Sequence, residues 1–351
     1  MKKVLVPLCL VLGSHLANGQ RSYQFSSADR LFVEGRDLFE LKDYAGCIDK
    51  LDAFKKHSKD ADLIQEADFM LACSAFEQGL PEALELLEGF LDAYPSTRHA
   101  DEISFLVGSA YFEREDYDRA IYWFREADID MLSADQQETC TFRLAYSLLR
   151  TGEVEEAKGY FARIAEIGDT YRDASAYYVA YIDYSTGDYN RALAEFSRLG
   201  NHPEFQRRAR YYMAQIYFIQ RKYDKVLREG KELLADDLGP EENSEIYRIV
   251  GASYYYKGDE ARALPMLKRY AETTDAPSRG DLYILGVCYY NQGDYRNAVK
   301  ALGQAVHEND ELTQNAYLYL GQSYLKLNDK NNARMAFEVA ATSSYDQMVK
   351  E

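Results

Sequence analysis

One pattern recurs along this chain at a period too short for a closed domain and too regular for accident. Val107-Gly108-Ser109-Ala110-Tyr111, then Tyr117-Asp118-Arg119-Ala120, then Phe124 and Ala127, returns near the far end. There it reads Leu285-Gly286-Val287-Cys288-Tyr289, then Gly293-Asp294-Tyr295-Arg296-Asn297-Ala298, then Leu302 and Ala305. Taking the small residue three places after the second Tyr as an anchor gives nine positions: Cys47, Ala83, Ala120, Ala157, Ala192, Val226, Ala263, Ala298 and Ala333. Successive anchors are 36, 37, 37, 35, 34, 37, 35 and 35 residues apart. A period of this length means stacked supersecondary units, each covering the apolar face of its neighbour.

The rest of the pattern is counted from the anchor. Twelve residues before it stands a small residue, Gly35, Gly108, Ala145, Ala180, Ala214, Gly251, Gly286 or Gly321, with Leu71 the one departure. Nine before, Tyr occurs five times, at Tyr111, Tyr217, Tyr254, Tyr289 and Tyr324. Four after, a large apolar residue occurs in eight of nine repeats, and only Gly230 breaks the rule. Apolar residues at offsets of three and four mark one buried stripe on each of two helices per repeat. The two small residues are expected to let those helices approach where they cross. Gly-Asp or Gly-Glu at 152–153, 187–188, 258–259 and 293–294 supplies the turn between them. Gly accepts the left-handed conformation that ends the first helix, and the acid caps the second. Pro81 is expected in the first turn of a second helix, and Pro265 to kink or delay one.

These residues resemble the tetratricopeptide repeat, whose units of about 34 residues are helix pairs. The resemblance covers roughly residues 28 to 345; the third, eighth and ninth repeats match closely, while the second and sixth are degenerate. It implies an all-α fold, a right-handed α-solenoid of antiparallel helix pairs (a TPR-like superhelix), with about nine repeats over residues 20–345 and no single core. Residues 346–351 read as the start of a further or capping helix. Without a polar cap, the apolar C-terminal end is expected to be covered by further sequence or by a partner, self-association included.

Ahead of the repeats, Met1–Gly19 reads as a signal peptide: Lys2 and Lys3 precede the apolar run Val4 to Leu12, and Ala17 and Gly19 are spaced like a cleavage site. The run is too short and too interrupted for a membrane span, and no later segment could serve, so no integral membrane insertion is expected. The expected location is therefore outside the cytoplasm, in the periplasm or cell envelope. Four cysteines follow the leader, Cys47, Cys73, Cys140 and Cys288, and their wide spacing reads as buried free thiols. The formal net charge of −17 repels phosphate backbones, so nucleic acid is not an expected partner.

Function is expected on the first helices. Positions fifteen, eleven and eight before the anchor share one helix face. In the family's stacking that face lines the concave side. Fifteen before stand Phe32, Phe105, Phe142, Tyr177, Tyr211 and Tyr283; eight before stand Phe39, Phe112, Tyr184, Phe218, Tyr255 and Tyr290; eleven before, Tyr146 and Tyr181. Two readings of these rings stand open. They pack on the neighbouring repeat, or they form an aromatic groove for a protein or peptide partner, since Tyr offers contact area with few rotatable bonds. A glycan- or peptidoglycan-binding module, with Gln215, Gln322 and Asn291 reading hydroxyls, is the alternative. A structural arm of a larger envelope assembly is another. The groove differs from that of family members that clamp a terminal carboxylate, because its cations Arg36, Arg208 and Arg248 read as isolated.

Catalytic constellations are missing from the sequence. His57, His99, His202 and His307 fall near turns of different repeats. No HExxH, GxSxG, phosphate-cradling glycine loop or paired CxxC is present. Asp128 and Asp130 begin something like a calcium loop, but Leu132 and Ser133 stand where a ligand and a glycine are required. The expectation is a non-enzymatic scaffold with no cofactor and no metal.

Overall fold

The computed structural model describes residues 27–235, 239–343 and 345. The leader expected at Met1–Gly19 and the helix opening expected at 346–351 lie outside the described residues. Two compact units divide the chain, one ending at Cys140 and the other beginning at Thr141.

The first unit holds α1 (Ser27–Glu40), α2 (Tyr44–Lys55), α3 (Ala61–Glu77), α4 (Ala83–Ala93), α5 (Ala100–Glu113) and α6 (Tyr117–Glu126). After a short 3-10 turn at Ile129–Met131 comes α7 (Ala134–Thr151), in which the boundary falls. The second unit continues with α8 (Val154–Ile167), α9 (Arg172–Ser185), α10 (Tyr189–Leu199), α11 (Gln206–Ile219) and α12 (Tyr223–Leu233). It runs on through α13 (Pro240–Tyr256), α14 (Glu260–Thr273), α15 (Arg279–Asn291), α16 (Tyr295–Ala305), α17 (Glu311–Lys326) and α18 (Lys330–Thr342). Among the described residues every regular element is a helix. Odd-numbered helices carry the positions fifteen to eight before the anchor and even-numbered ones carry the anchor, so the chain is an all-α array of helix pairs.

One device closes the pairs. In eight of them the residue five before the anchor has a positive φ: Gly152, Gly187, Gly258 and Gly293, but also Lys42, Glu115, Arg221 and Asn328. The next residue caps the second helix in six pairs. Asp43, Asp116, Asp188, Asp259, Asp294 and Asp329 each accept from the backbone N–H three residues on. Each cap contributes about 1 kcal/mol, enough to offset a side chain held in the left-handed region. These second helices begin three residues before the anchor, whereas α4 begins on its anchor, Ala83. Pro81 therefore lies in the turn ahead of α4, not in its first turn. Pro265 delays nothing, because α14 starts at Glu260 behind the Asp259 cap; the ring only leaves the Ala261 carbonyl without its helical donor.

The anchors are buried, but the small residue twelve before has a different purpose from the one expected. A Cβ on Gly35, Gly108, Gly251, Gly286 or Gly321 would lie 2.6, 2.7, 2.7, 2.5 or 2.6 Å from Leu51, Phe124, Leu267, Leu302 or Phe337. The glycine thus makes a socket for the large side chain four after the anchor, and does not simply face the other small residue. In the sixth repeat the arrangement inverts. Gly230 stands where the large side chain should be, and Val250 on α13 of the next repeat fills the space. First helices also touch one another: α1 with α3 and α3 with α5 in the first unit, and α9, α11, α13, α15 and α17 in sequence in the second. Within the second unit, α11, α13 and α15 are therefore each enclosed by their own partner, the preceding second helix and their neighbours in the row. All four cysteines are buried free thiols, and burial pushes the Cys288 thiol up to about 12, out of the reactive range.

Candidate functional site on the first-helix row

Ten of the twelve aromatics proposed for binding are half-buried, and Phe105 and Tyr177 are buried. Phe105 and Phe112 stand on α5 in the first unit. Phe142, Tyr146, Tyr177, Tyr181, Tyr184, Tyr211, Phe218, Tyr255, Tyr283 and Tyr290 stand on first helices of the second unit.

Much of this aromatic surface is committed to holding the repeat together. Phe39, Phe112, Tyr184, Phe218 and Tyr290 each meet the Tyr that opens their own second helix (Tyr44, Tyr117, Tyr189, Tyr223 and Tyr295), at centroid distances of 5.6–6.1 Å. Tyr255 has no such partner, because α14 opens on Glu260; its ring meets that of Tyr256. Two turns earlier, Phe105, Phe142 and Tyr177 lean on Phe124, Phe161 and Phe196 at 6.4, 5.6 and 6.1 Å. These are the large residues four after the anchor, and Phe142 and Tyr177 are stacked besides on Tyr171 (4.4 Å) and Phe205 (5.5 Å), so the packing reading holds for these three rings.

A position that the sequence reading passed over completes the row. Fourteen before the anchor, Tyr178 stacks on Phe161 of the preceding repeat (4.9 Å, 20°) and Tyr212 on Phe196 (5.4 Å, 10°). The signal was present, since this position holds Val33, Phe69, Leu106, Tyr178, Tyr212, Ile249, Ile284 and Tyr319, with Arg143 the exception. Tyr212 is a hub: its ring also meets Tyr177, Tyr181, Tyr184 and Tyr211 at 5.0–6.4 Å.

Two hollows open on this row. The first, about 500 Å³, spans α9 to α13 and is walled by Tyr177, Phe205, Tyr211 and Tyr212, with Glu204, Arg207, Arg208 and Glu242 at its edge. An adjoining hollow of about 420 Å³ shares Tyr177, Phe205 and Arg208 and reaches Phe142 and Tyr178. The second, about 460 Å³, spans α11 to α17 and is walled by Phe218, Ala252, Tyr255, Tyr283 and Ile284 around Arg248 and Asp281. Volumes of this size suit single side chains or short peptide stretches. Burial raises the phenols of Tyr177, Tyr211 and Tyr283 well above the usual tyrosine range and pushes Tyr255 up to about 12. All four therefore stay neutral hydroxyls near pH 7, able to donate and to accept.

The cations differ from expectation. Arg36 pairs with Asp37 at 3.2 Å and Glu40 at 3.9 Å. Arg248 is gripped by both oxygens of Glu245 at 2.7 Å, lies 3.7 Å from buried Asp281, and stacks 5.2 Å over the Phe218 ring. Its position holds an aromatic in six other repeats, and here the guanidinium takes the ring's place. Glu245 chiefly, then Asp281, holds Arg248 firmly charged against the penalty of burial. Of the three cations read as isolated, only Arg208 makes no ion pair or hydrogen bond among the described residues. The polar reader best placed for a glycan is occupied as well, since the Tyr184 hydroxyl donates to Gln215 Oε1 at 2.5 Å.

Models of the tetratricopeptide repeat match residues 69–134 and 140–167, and a model described as anaphase-promoting complex, cyclosome, subunit 3 matches residues 242–340. No curated protein matches the chain. Among solved structures, YrrB, described as a TPR protein with an unusual peptide-binding site, is similar at 19% identity over 54% of this chain and 95% of its own, with a TM-score of 0.46. MamA is similar at 18% identity over 49% of this chain and 91% of its own, with a TM-score of 0.42. PilF of Pseudomonas aeruginosa is similar at 16% identity over 58% and 90%, with a TM-score of 0.44.

Proposed function

We propose that this tetratricopeptide-repeat protein is a non-enzymatic scaffold holding a peptide segment of a partner protein in an aromatic groove along the α9–α17 row. One observation carries the reading: Tyr211, Tyr255 and Tyr283 remain half-buried around two hollows of one helix row after every neighbouring ring has packed. A half-buried phenol keeps a face for apolar side chains and a hydroxyl for the backbone of the bound segment. Arg208 supplies a single free charge, suited to one acidic side chain but too little for a carboxylate clamp, which needs several converging donors. Photocrosslinking in the cell from a reactive residue placed at Leu312, beside the second hollow, tests this. Capture of a partner is expected to fall at least tenfold when Tyr211, Tyr255 and Tyr283 are all changed to Ser with helicity unchanged; undiminished capture moves the site elsewhere.

The leader-like Met1–Gly19 supports an exported protein working in the periplasm or cell envelope. N-terminal sequencing of the mature chain is expected to begin at Gln20, and an intact Met1 in an extract of the envelope would contradict export. A second contact at the C-terminal end rests on Phe337. The corresponding Leu51, Leu87, Phe124, Phe161, Phe196, Leu267 and Leu302 are 0% exposed, whereas Phe337 is half-buried and Met335 on the same helix is exposed. We infer that a second copy of the chain packs on Phe337 and Met335; sedimentation velocity is expected to show a dimer for the parent and a monomer for Met335→Asp.

A further inference from the structure

A cavity of about 610 Å³ lies in the first unit, between the second helices α2 and α4 and floored by α3. It adjoins the late start of α4, a helix as long as α10, α12 and α16 but displaced along the chain. Every other second helix starts three residues ahead of its anchor, whereas here Leu80 and Glu82 occupy that space as an open turn. Gly89 then faces the gap from α4, and a Cβ built on it would meet no atom within 4 Å. The result is a cleft between two helices of 12 and 11 residues, each about 17 Å long at 1.5 Å per residue.

The cleft is apolar inside and acidic at its lip. Ile48, Leu71 and Phe90 form the floor, and Leu86, 42% exposed, projects beside it. Asp68 is satisfied within the wall, ion-paired with Lys55 and accepting from the Tyr94 hydroxyl at 2.7 Å. Asp52, Glu82 and Glu85 also line the cleft, and none of their three side chains has an ion pair or hydrogen bond among the described residues. A trench with an aliphatic floor and a rim of three uncommitted carboxylates selects its occupant by charge. Acidic and neutral segments gain nothing at the lip, while a lysine- or arginine-flanked apolar stripe gains at both surfaces.

We propose that the α2–α4 cleft is a second docking site, independent of the aromatic row, and that its occupant is a basic amphipathic helix of a partner protein. Two to three turns span the cleft, with leucine-sized side chains on the floor and cations against Asp52, Glu82 and Glu85. The probe is a fluorescein-labelled 14-residue helix of leucine and lysine, compared with a leucine–glutamate helix of the same pattern and with the leucine–lysine sequence scrambled to remove its apolar face. Fluorescence anisotropy on the full chain is expected to show the leucine–lysine helix binding at least tenfold more tightly than either control. Amide hydrogen exchange is expected to slow in α2 and α4. Gly89→Trp fills the trench from an open position and is expected to weaken binding at least tenfold. Glu82→Gln with Glu85→Gln is expected to weaken it about threefold and to flatten its salt dependence. Equal binding to Gly89→Trp, or protection outside α2 and α4, would overturn the proposal, because it would reduce the interaction to general attraction to an acidic chain. Should Gly89→Trp lose helicity, Leu86→Glu at the exposed lip replaces it with the same expected loss.

Discussion

The two hollows on the first-helix row are alike in their rings and opposite in their cations. Arg248 is neutralised from within by Glu245 and Asp281 and covers the Phe218 ring, so the hollow it sits in presents fixed, balanced charge. Arg208, at the edge of the other hollow, answers to no carboxylate among the described residues. The same residue type on the same row therefore has two purposes. One arginine is a piece of architecture standing in for a missing ring, and the other is a charge left available to a ligand. Exposure separates them: the Arg248 side chain is 24% exposed and Asp281 8%, so their pairing is not screened away, while Arg208 is exposed.

Four measurements break or sharpen this contrast. Arg248→Met is expected to destabilise the protein by about 3 kcal/mol, because it strands a buried carboxylate, whereas Arg208→Met is expected to stay within about 0.5 kcal/mol of the parent. Urea unfolding of the two variants side by side decides it, and equal losses would abolish the distinction. In binding the order reverses. Arg208→Met is expected to reduce capture of an acidic partner segment about tenfold, the loss of one charge-assisted hydrogen bond, which titration with a labelled peptide carrying a single Asp would reveal.

The tyrosines supply the third comparison. Their folded pKa values lie above the ordinary 10.0, with Tyr255 at about 12 and Tyr177, Tyr211 and Tyr283 raised further by burial. A raised phenol contributes stability that is complete below the unfolded value and declines as pH climbs from there through the folded value. Unfolding midpoints are therefore expected to hold steady to about pH 9.5 and to drop progressively beyond pH 10, with phenolate absorbance lagging until unfolding. Among the tyrosines the smallest effect is expected from Tyr184→Phe, which removes the hydrogen bond to Gln215 at a cost of about 1 kcal/mol and leaves both hollows open.

The helix pairs were legible because their signals are local. The anchor, the small residue twelve before and the acid after the turn all lie within one repeat and repeat in register. The partners of the rings were only half legible. Pairing between the aromatic eight before the anchor and the Tyr three before it can be read in hindsight, since repeats with Phe39, Phe112, Tyr184, Phe218 and Tyr290 also have Tyr44, Tyr117, Tyr189, Tyr223 and Tyr295. Stacking of Tyr212 on Phe196 joins two repeats, and no count within either repeat announces it. Arg248 read as isolated although its chief partner, Glu245, lies one turn earlier on the same helix; only Asp281, from the following repeat, was beyond a count within one repeat. The α2–α4 cleft arises from a helix that starts late, and the boundary of an element is the feature that periodicity fixes least well.

The inversion at Gly230 has a consequence for how such a chain can be cut and rejoined. Wherever glycine and large side chain sit within one repeat, that repeat carries its own fitted joint and can be transplanted as a cassette. Here the joint is shared, with the recess in the sixth repeat and the Val250 methyl that fills it in the seventh. Excising either one alone strands half of the joint, so any permutation of this array has to move the two as a single block.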